Sequence, residues 1–418
     1  MNPEVQREIQ GQDKDEYVEG GYGWVIAGAG FLIYAIVPGV MMSLGVLIEH
    51  YAVLLGDTTS LAMLTMVGTV ANSLFSLLGM WSGVVVDRYG HGTTIMYATV
   101  LFSGGLFLAS YATRDWHLLL SLGIVSGIGD SLVTIAVISA PAQYFNRRLG
   151  LVTGLVMAGY GVGALVFSPT IELLLSEYSV KRTLQGLAAG SFVCLTSLSL
   201  VYTNKSTTTI RSVNWAMFRN LQFQMLFLAT TFWAMGYLIP FIILPTYTAS
   251  LGFPSQDNGL LLGILNGATA LGRIVLGPVA DRVGRIEIMA MTSVTASLSC
   301  LIWIYATTFT HVAIFCVIFG TTAGSFLSLL SVVARQLFPD ESVAGITGLA
   351  YFATGLPYLI GTPIATALSQ YFSHSDPPTT YVPASIFSGV FILLVLFPLL
   401  RLQWLVRQSQ THIILSID

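Results

Sequence analysis

An eight-residue frame, G-x-x-x-D-R-x-G, occurs twice in this chain, 194 positions apart. Gly83-Val-Val-Val-Asp87-Arg88-Tyr-Gly90 returns as Gly277-Pro-Val-Ala-Asp281-Arg282-Val-Gly284. The same offset carries Thr153-Gly154-Leu155 onto Thr347-Gly348-Leu349, and Ser168-Pro169 onto Thr362-Pro363. The fold must therefore accommodate two copies of one unit of about half the chain. The solvent for that unit is lipid: 54% of the residues are hydrophobic and 9% are charged, against about 25% charged in a soluble domain. Two like halves in a bilayer are the sequence signature of a transporter whose bundles rock against each other. A single-bundle receptor or membrane enzyme has no need of them.

A helix needs about 20 mostly apolar residues to cross the hydrocarbon core. Breaks at charged or Pro/Gly/Asp-rich turns divide the chain into twelve stretches of that size. They run over 24–50, 59–86, 93–113, 117–144, 149–175 and 184–203, then over 220–250, 258–280, 286–308, 311–337, 342–371 and 382–405. The expected fold class is all-α integral membrane, with twelve transmembrane helices in two pseudo-symmetric six-helix bundles at 20–203 and 220–405. A cytoplasmic N-terminal tail at 1–19, a cytoplasmic linker at 204–219 and a cytoplasmic C-terminal tail at 406–418 complete the chain.

Orientation follows from the basic residues. With both termini cytoplasmic, thirteen Lys and Arg lie on that side and only Arg114, Lys181 and Arg182 outside, while Arg273 stays within a span. The expected location of this multi-pass protein is the plasma membrane. The sequon Asn204-Lys205-Ser206 then falls on the side that stays unmodified. Residues 1–19 hold six acids and two bases without an apolar core, unlike a secretory signal peptide. The net charge of -3 is scattered over loops rather than gathered on a face, so no nucleic-acid partner is expected. Cys194, Cys300 and Cys316 lie apart in apolar segments and the six histidines are dispersed. Neither a disulfide framework, a metal site nor a cofactor is expected.

The two repeated loops fall on the cytoplasmic side, between spans 2 and 3 and between spans 8 and 9. Gly83 and Gly277 end their spans with a residue that lets a neighbouring helix approach closely. Asp87 and Asp281, one turn on, can accept from a helix N-terminus or pair with a loop arginine, fastening that face shut in one state. Arg147 and Arg148 are the natural partners for Asp87. The alternative is a plain helix–helix turn holding an ion pair, but its recurrence at a shared offset favours a gate made of Gly83, Asp87, Arg88, Gly90, Arg147, Arg148, Gly277, Asp281, Arg282 and Gly284.

This loop resembles the signature of the major facilitator superfamily. Glu19-Gly20-Gly21-Tyr22-Gly23-Trp24 matches the acid-G-G/S-aromatic-G/A-W block of the monocarboxylate transporter family. A second family block runs from Tyr144-Phe145-Asn146-Arg147-Arg148 through Thr153-Gly154, Ala158-Gly159-Tyr160 and Gly163, with Val152 in place of an alanine. Nearly the whole chain is covered, and it looks most like the fungal branch. Gly154, Ala158 and Gly163 also read as a small-residue stripe for helix contact. Tyr22 and Trp24 read as interfacial anchors rather than as part of the site.

Charges inside the membrane are costly without a partner or a task. Arg273, in span 8, corresponds to the arginine that binds the substrate carboxylate in the family this chain resembles. Its guanidinium offers a bidentate fork to a carboxylate; the other reading is a structural pair with an acid on another helix. Asp130, in span 4, has two readings: a counter-charge to Arg273 that is displaced or protonated when an anion binds, or a local hydrogen bond to Ser131 or nearby backbone. Glu172 and Glu49-His50 read as interfacial. Spans 1, 4, 7 and 10 line the superfamily's cavity, which favours Tyr34, Trp233, Tyr237 and Tyr247; Asn266 of span 8 and Tyr351 and Tyr358 of span 11 complete the expected wall. Two departures break the animal lactate carriers' proton-relay pattern. Their span-8 aspartate is Thr269 here, and no lysine occurs between Gly20 and Asp57.

The expected function is secondary active transport of a small organic anion, most simply a monocarboxylate, driven by protons or by the substrate's own gradient. No P-loop for ATP is present. A riboflavin-type or secondary-metabolite carrier is the runner-up. A non-transporting sensor is a third reading, disfavoured by the short C-terminal tail. An intramembrane enzyme ranks last, for want of paired catalytic carboxylates, H-E-x-x-H or G-x-S-x-G. Whether an accessory subunit is needed is not written in the chain.

Overall fold

The structure is a computed structural model describing residues 20–45, 47, 50, 51, 61–202, 214–303, 305–371 and 381–415. Glu19, Glu49, the N-terminal tail, the sequon and most of the linker lie outside the described residues. The elements are helical throughout: α1 (Tyr22–Met42), α2 (Leu61–Leu77, then Gly79–Tyr89), α3 (His91–Ala109), α4 (Asp115–Gln143), α5 (Leu149–Glu177), α6 (Val180–Ser199), α7 (Leu221–Ser250), α8 (Ser255–Val283), α9 (Arg285–Trp303), α10 (Phe309–Leu337), α11 (Val343–Tyr371) and α12 (Val382–Leu394, then Leu396–Leu415). Among the described residues, all but α6 are long and apolar enough to cross a bilayer, counting the two pieces of α2 as one span bent by 53°. α6 is a 20-residue helix whose first turn carries Lys181 and Arg182 and whose body is rich in Ser, Thr and Gly.

Three local differences from the expected spans have physical causes. α1 stops at Met42, where Pro38 and Gly39 precede a turn at Ser43. α4 is not one regular helix: a π-helical stretch over Leu119–Val125 precedes the regular Ser126–Ser139, and Gly127 and Gly129 seat that part against Ala71 of α2 and Phe102 of α3. α12 runs on to Leu415, through the expected C-terminal tail, because nothing after Pro398 breaks it. Gln403 Nε2 ties it to Glu287 Oε1 of α9 at 2.8 Å.

Within the first half α1 packs on α5 and α3 on α4 and α6; within the second α7 packs on α11 and α12, and α10 on α8 and α9. The halves meet chiefly through two crossed pairs, α5 on α8 and α2 on α11. The expected single stripe on α5 divides between two faces. A Cβ at Gly150, Gly154 or Gly161 would strike α8, at Gly277, Arg273 and Asn266 respectively. At Gly159 or Gly163 it would strike Phe31 or Ala35 of α1. One helix thus packs against its own bundle and against the opposite one, because 3.6 residues per turn separate positions 159 and 163 from 150, 154 and 161.

Candidate functional site

Between the bundles lies a cavity walled by Tyr34, Pro38, Met41 and Met42 of α1, Asn72 and Phe75 of α2, Asp130 and Thr134 of α4 and Tyr160 of α5. Tyr237 and Leu238 of α7, Arg273 of α8, Leu327 of α10 and Tyr358 of α11 close it. About 40 Å³ is open to the centres of water molecules, room for roughly three waters. A monocarboxylate the size of lactate fits only if side chains swing aside or the bundles part.

Arg273 is 2% exposed. Its Nε donates to the Gly324 carbonyl of α10 at 3.0 Å and its Nη1 to the Met157 carbonyl of α5 at 2.6 Å. The Tyr160 ring lies 5.0 Å from the guanidinium carbon. Gly154 makes this cradle possible: with no side chain there, α5 closes on the backbone carbonyl of Arg273 itself. No carboxylate lies within 4.0 Å of the guanidinium among the described residues. Two backbone carbonyls, the Tyr160 ring and the neighbouring Tyr237 hydroxyl therefore surround a buried cation that faces the cavity.

Asp130 shares that cavity and makes no ion pair with Arg273. It is 8% exposed, and its Oδ1 accepts from Thr134 Oγ1 at 3.1 Å. The local bond expected from Ser131 comes instead from Thr134, one turn on, since Ser131 Oγ is engaged with Ser82 Oγ at 2.8 Å.

The structure brings Tyr34, Asp130, Tyr237, Arg273 and Tyr358 to one cavity and leaves Trp233, Tyr247, Asn266 and Tyr351 off its wall. Trp233 is one layer behind, stacked on Tyr237 at 4.1 Å and on Phe326 at 4.9 Å. This sandwich fixes the Tyr237 ring and sets its buried hydroxyl near the Arg273 guanidinium. Tyr247 lies ten residues further along α7, donating to the Ala306 carbonyl at 2.9 Å and packing edge-on to Trp303. Asn266 sits two turns from Arg273, its amide bonded to the Leu262 carbonyl at 3.0 Å. Tyr351 is buried on α11 and donates to the Leu327 carbonyl, whereas Tyr358 is on the wall. Tyr160 and Asn72 are among the wall residues that the sequence reading passed over, and Tyr160 is the one that touches Arg273. Its signal was available: one large side chain among small ones in Ala158-Gly159-Tyr160-Gly161.

The repeated loops form two clasps on one side of the molecule. Asp281, at the end of α8, accepts from the Gly150 amide at 3.1 Å and the Leu151 amide at 3.0 Å, the first turn of α5. Arg285 pairs with it at 3.1 Å and also donates to the Asn146 carbonyl. Asp87, at the end of α2, accepts from Ser342 Oγ at 2.5 Å, and that same oxygen caps α11 by accepting from the Gly345 amide at 2.9 Å. Each aspartate reaches the opposite bundle at a helix N-terminus, where the positive end of the dipole favours it. Gly83 lies against Ala344 and Gly345, and Gly277 against Gly150. Gly90 and Gly284 end α2 and α8 with φ of 82° and 131°, a conformation that suits glycine alone among the residues available. Ser342 is thus one partner of Asp87, and Arg285 is the arginine that pairs with Asp281. Arg148 stands at the start of α5, while Arg88 lies over the Tyr89 ring and Arg282 is exposed.

Contacts between the bundles run from the clasps to mid-length. On α5 and α8 they extend to Leu165 and Gly263, and on α2 and α11 to Leu77 and Gly355. α1 and α7 are not packed on each other. Among the described residues, the two bundles thus meet from the clasps to mid-length along α5–α8 and α2–α11.

The Major Facilitator Superfamily profile matches residues 24–323 and again 226–409. Monocarboxylate transporter 13 of Rattus norvegicus is 28% identical over 393 residues, 91% of this chain and 89% of that one. Riboflavin transporter MCH5 of Saccharomyces cerevisiae is 26% identical, covering 88% of this chain and 76% of its own. Fungal MFS-type transporters are also among the relatives. Among solved structures, a bacterial homologue of the iron transporter ferroportin in its outward-facing state superposes with a TM-score of 0.67, over 92% of this chain and all of that one. At 14% identity that likeness speaks for the fold alone.

Proposed function

The chain belongs to the major facilitator superfamily, as a transporter of monocarboxylate-transporter type, and we propose that it carries a small organic anion, a monocarboxylate, by alternating access. The observation that carries this reading is Arg273: a buried cation, held by two backbone carbonyls from different helices, facing a cavity it shares with Asp130 but with no acid within 4.0 Å among the described residues. Desolvating a guanidinium without a counter-ion is unfavourable by several kcal/mol, on the order of a tight ligand's binding energy. A carboxylate taken against the guanidinium removes that penalty. On the distribution of basic residues the clasp side is cytoplasmic.

A riboflavin-type carrier is the second reading. Thr269 and the lysine-free first span favour it, as do the four tyrosines on the wall. Uptake by purified protein in liposomes decides between them, using labelled lactate, pyruvate, acetate and riboflavin. Monocarboxylate uptake that falls at least about tenfold in Arg273→Ala supports the first reading. Riboflavin uptake indifferent to that substitution removes it.

A further inference from the structure

On the second piece of α12, Leu399 and Leu402 are buried against the bundle, while Phe397, Leu400, Arg401, Trp404 and Arg407 are exposed. At 3.6 residues per turn those five fall within about 120° of arc, so they make one outward face. Its first turn is apolar, as hydrocarbon requires. The next two turns carry two guanidiniums with an indole between them, side chains suited to the headgroup layer. Gln403 and Arg407 reach Glu287 in the first turn of α9, beside Arg285, which places this face at the clasp end. The two arginines are held for recognition. Arg401 seats its guanidinium on the Trp404 ring, 4.1 Å from the centroid, which fixes the plane of its donors. Arg407 keeps its side chain 72% exposed, with Glu287 4.0 Å away. Six residues set them about 9 Å apart along the helix axis, a gap that two arginine side chains can close onto one phosphate. Arg285 and Arg335, on the same side, are instead engaged by Asp281 and by the Pro339 and Glu341 carbonyls.

We infer that Arg401, Trp404 and Arg407 form a binding site for the headgroup of an anionic phospholipid in the clasp-side leaflet. The two guanidiniums take the phosphate with paired N–H donors, Trp404 lies at the level of the glycerol backbone, and Phe397 and Leu400 meet the acyl chains. The site fastens the second bundle to that leaflet through its last helix. It is independent of Arg273 and of what the cavity carries.

The test reconstitutes the protein into bilayers of equal parts phosphatidylcholine and phosphatidylserine and releases it into mild detergent. The lipids that stay with it are counted from the mass of the intact complex. The wild type is expected to keep phosphatidylserine in preference to phosphatidylcholine. Arg401→Gln with Arg407→Gln should lower that preference about thirtyfold, the combined effect of two arginines at a charged leaflet. Trp404→Leu leaves both charges and should lower it about threefold. Arg401→Lys with Arg407→Lys keeps the charge without the paired donors and should fall between the wild type and the glutamine pair. Arg88→Gln with Arg282→Gln removes as much charge from exposed positions at the same end and should leave the preference unchanged. Equal losses from the two glutamine pairs, or a lysine pair that holds the lipid as well as the wild type does, would reduce the effect to diffuse attraction and overturn the site. A wild type without preference overturns it outright. Release of the lipid by excess inorganic phosphate would mark a site for a free anion, and the lipid assignment would fall.

Discussion

The two clasps hold the same aspartate in the same frame, 194 residues apart, yet they grip with different chemistry. Asp281 takes hold of backbone: the Gly150 and Leu151 amides at the start of α5, with Arg285 beside it. Asp87 takes hold of a side chain, the Ser342 hydroxyl that caps α11. Duplication thus preserved the place of contact, a carboxylate at the N-terminus of the opposite bundle's helix, while the donor changed. The consequence is an asymmetry in what a mutation can reach. No substitution in α5 removes its backbone amides except proline, whereas a single methyl-for-hydroxymethyl change disarms the donor in α11.

The largest effect is expected where both clasps rely on backbone approach. In Gly277→Val the new side chain would meet the Gly150 backbone, which has no rotamer with which to yield. Overpacking of this kind costs about 3 kcal/mol, and the cost falls only on the state sealed at the clasp side. The ratio of clasp-closed to clasp-open molecules should fall by about a hundredfold. Distances between spin labels on one clasp-side loop of each bundle measure it directly. A closed population as large as in the wild type would mean that the glycine frame is a turn and not a seal.

Asp281→Ala ranks next. It releases two charge-assisted bonds at the α5 terminus and the pair with Arg285, groups that water can partly satisfy once the clasp opens. The shift toward the clasp-open state should be about 2 kcal/mol, or thirtyfold. Arg285→Gln should reproduce only a part of it, because the two amide bonds to Asp281 stay in place. Equal effects of the two substitutions would place the grip in the ion pair and not in the amides.

Much of this was legible in the sequence. The repeat fixed the existence of two loops, their spans, and the glycines that let helices touch, because those depend on local spacing and apolarity. What could not be read was the identity of partners set by tertiary approach. Ser342 is 255 residues from Asp87 and looks like any serine before a helix. The α11 terminus reaches the carboxylate because α2 packs on α11. The cavity shows the same limit. Trp233 and Tyr237 share a face of α7, four residues apart, but only Tyr237 reaches the wall, and helical periodicity gives direction without depth. The π-helical stretch of α4 ahead of Asp130 is equally silent, since hydropathy does not register one extra residue in a turn.

The smallest expected effect tests the side-chain clasp most sharply. Ser342→Ala removes two things at once: the cap on α11, which is local to that helix and holds in either state, and the bond to Asp87, which exists only when the clasp is closed. The cap loss should lower stability by about 1 kcal/mol without favouring either state. Loss of the bond should move the closed-to-open ratio by about 1 kcal/mol, some fivefold. Thermal unfolding and spin-label distances therefore report separate parts of one substitution. Combining Ser342→Ala with Asp87→Ala isolates the shared bond, because whatever else each residue touches cancels in the cycle. A coupling of about 1 kcal/mol in the state ratio is expected. If the two changes simply add, the Ser342 hydroxyl serves its own helix and the grip on Asp87 comes from the α11 terminus as a whole, which would make the two clasps alike after all.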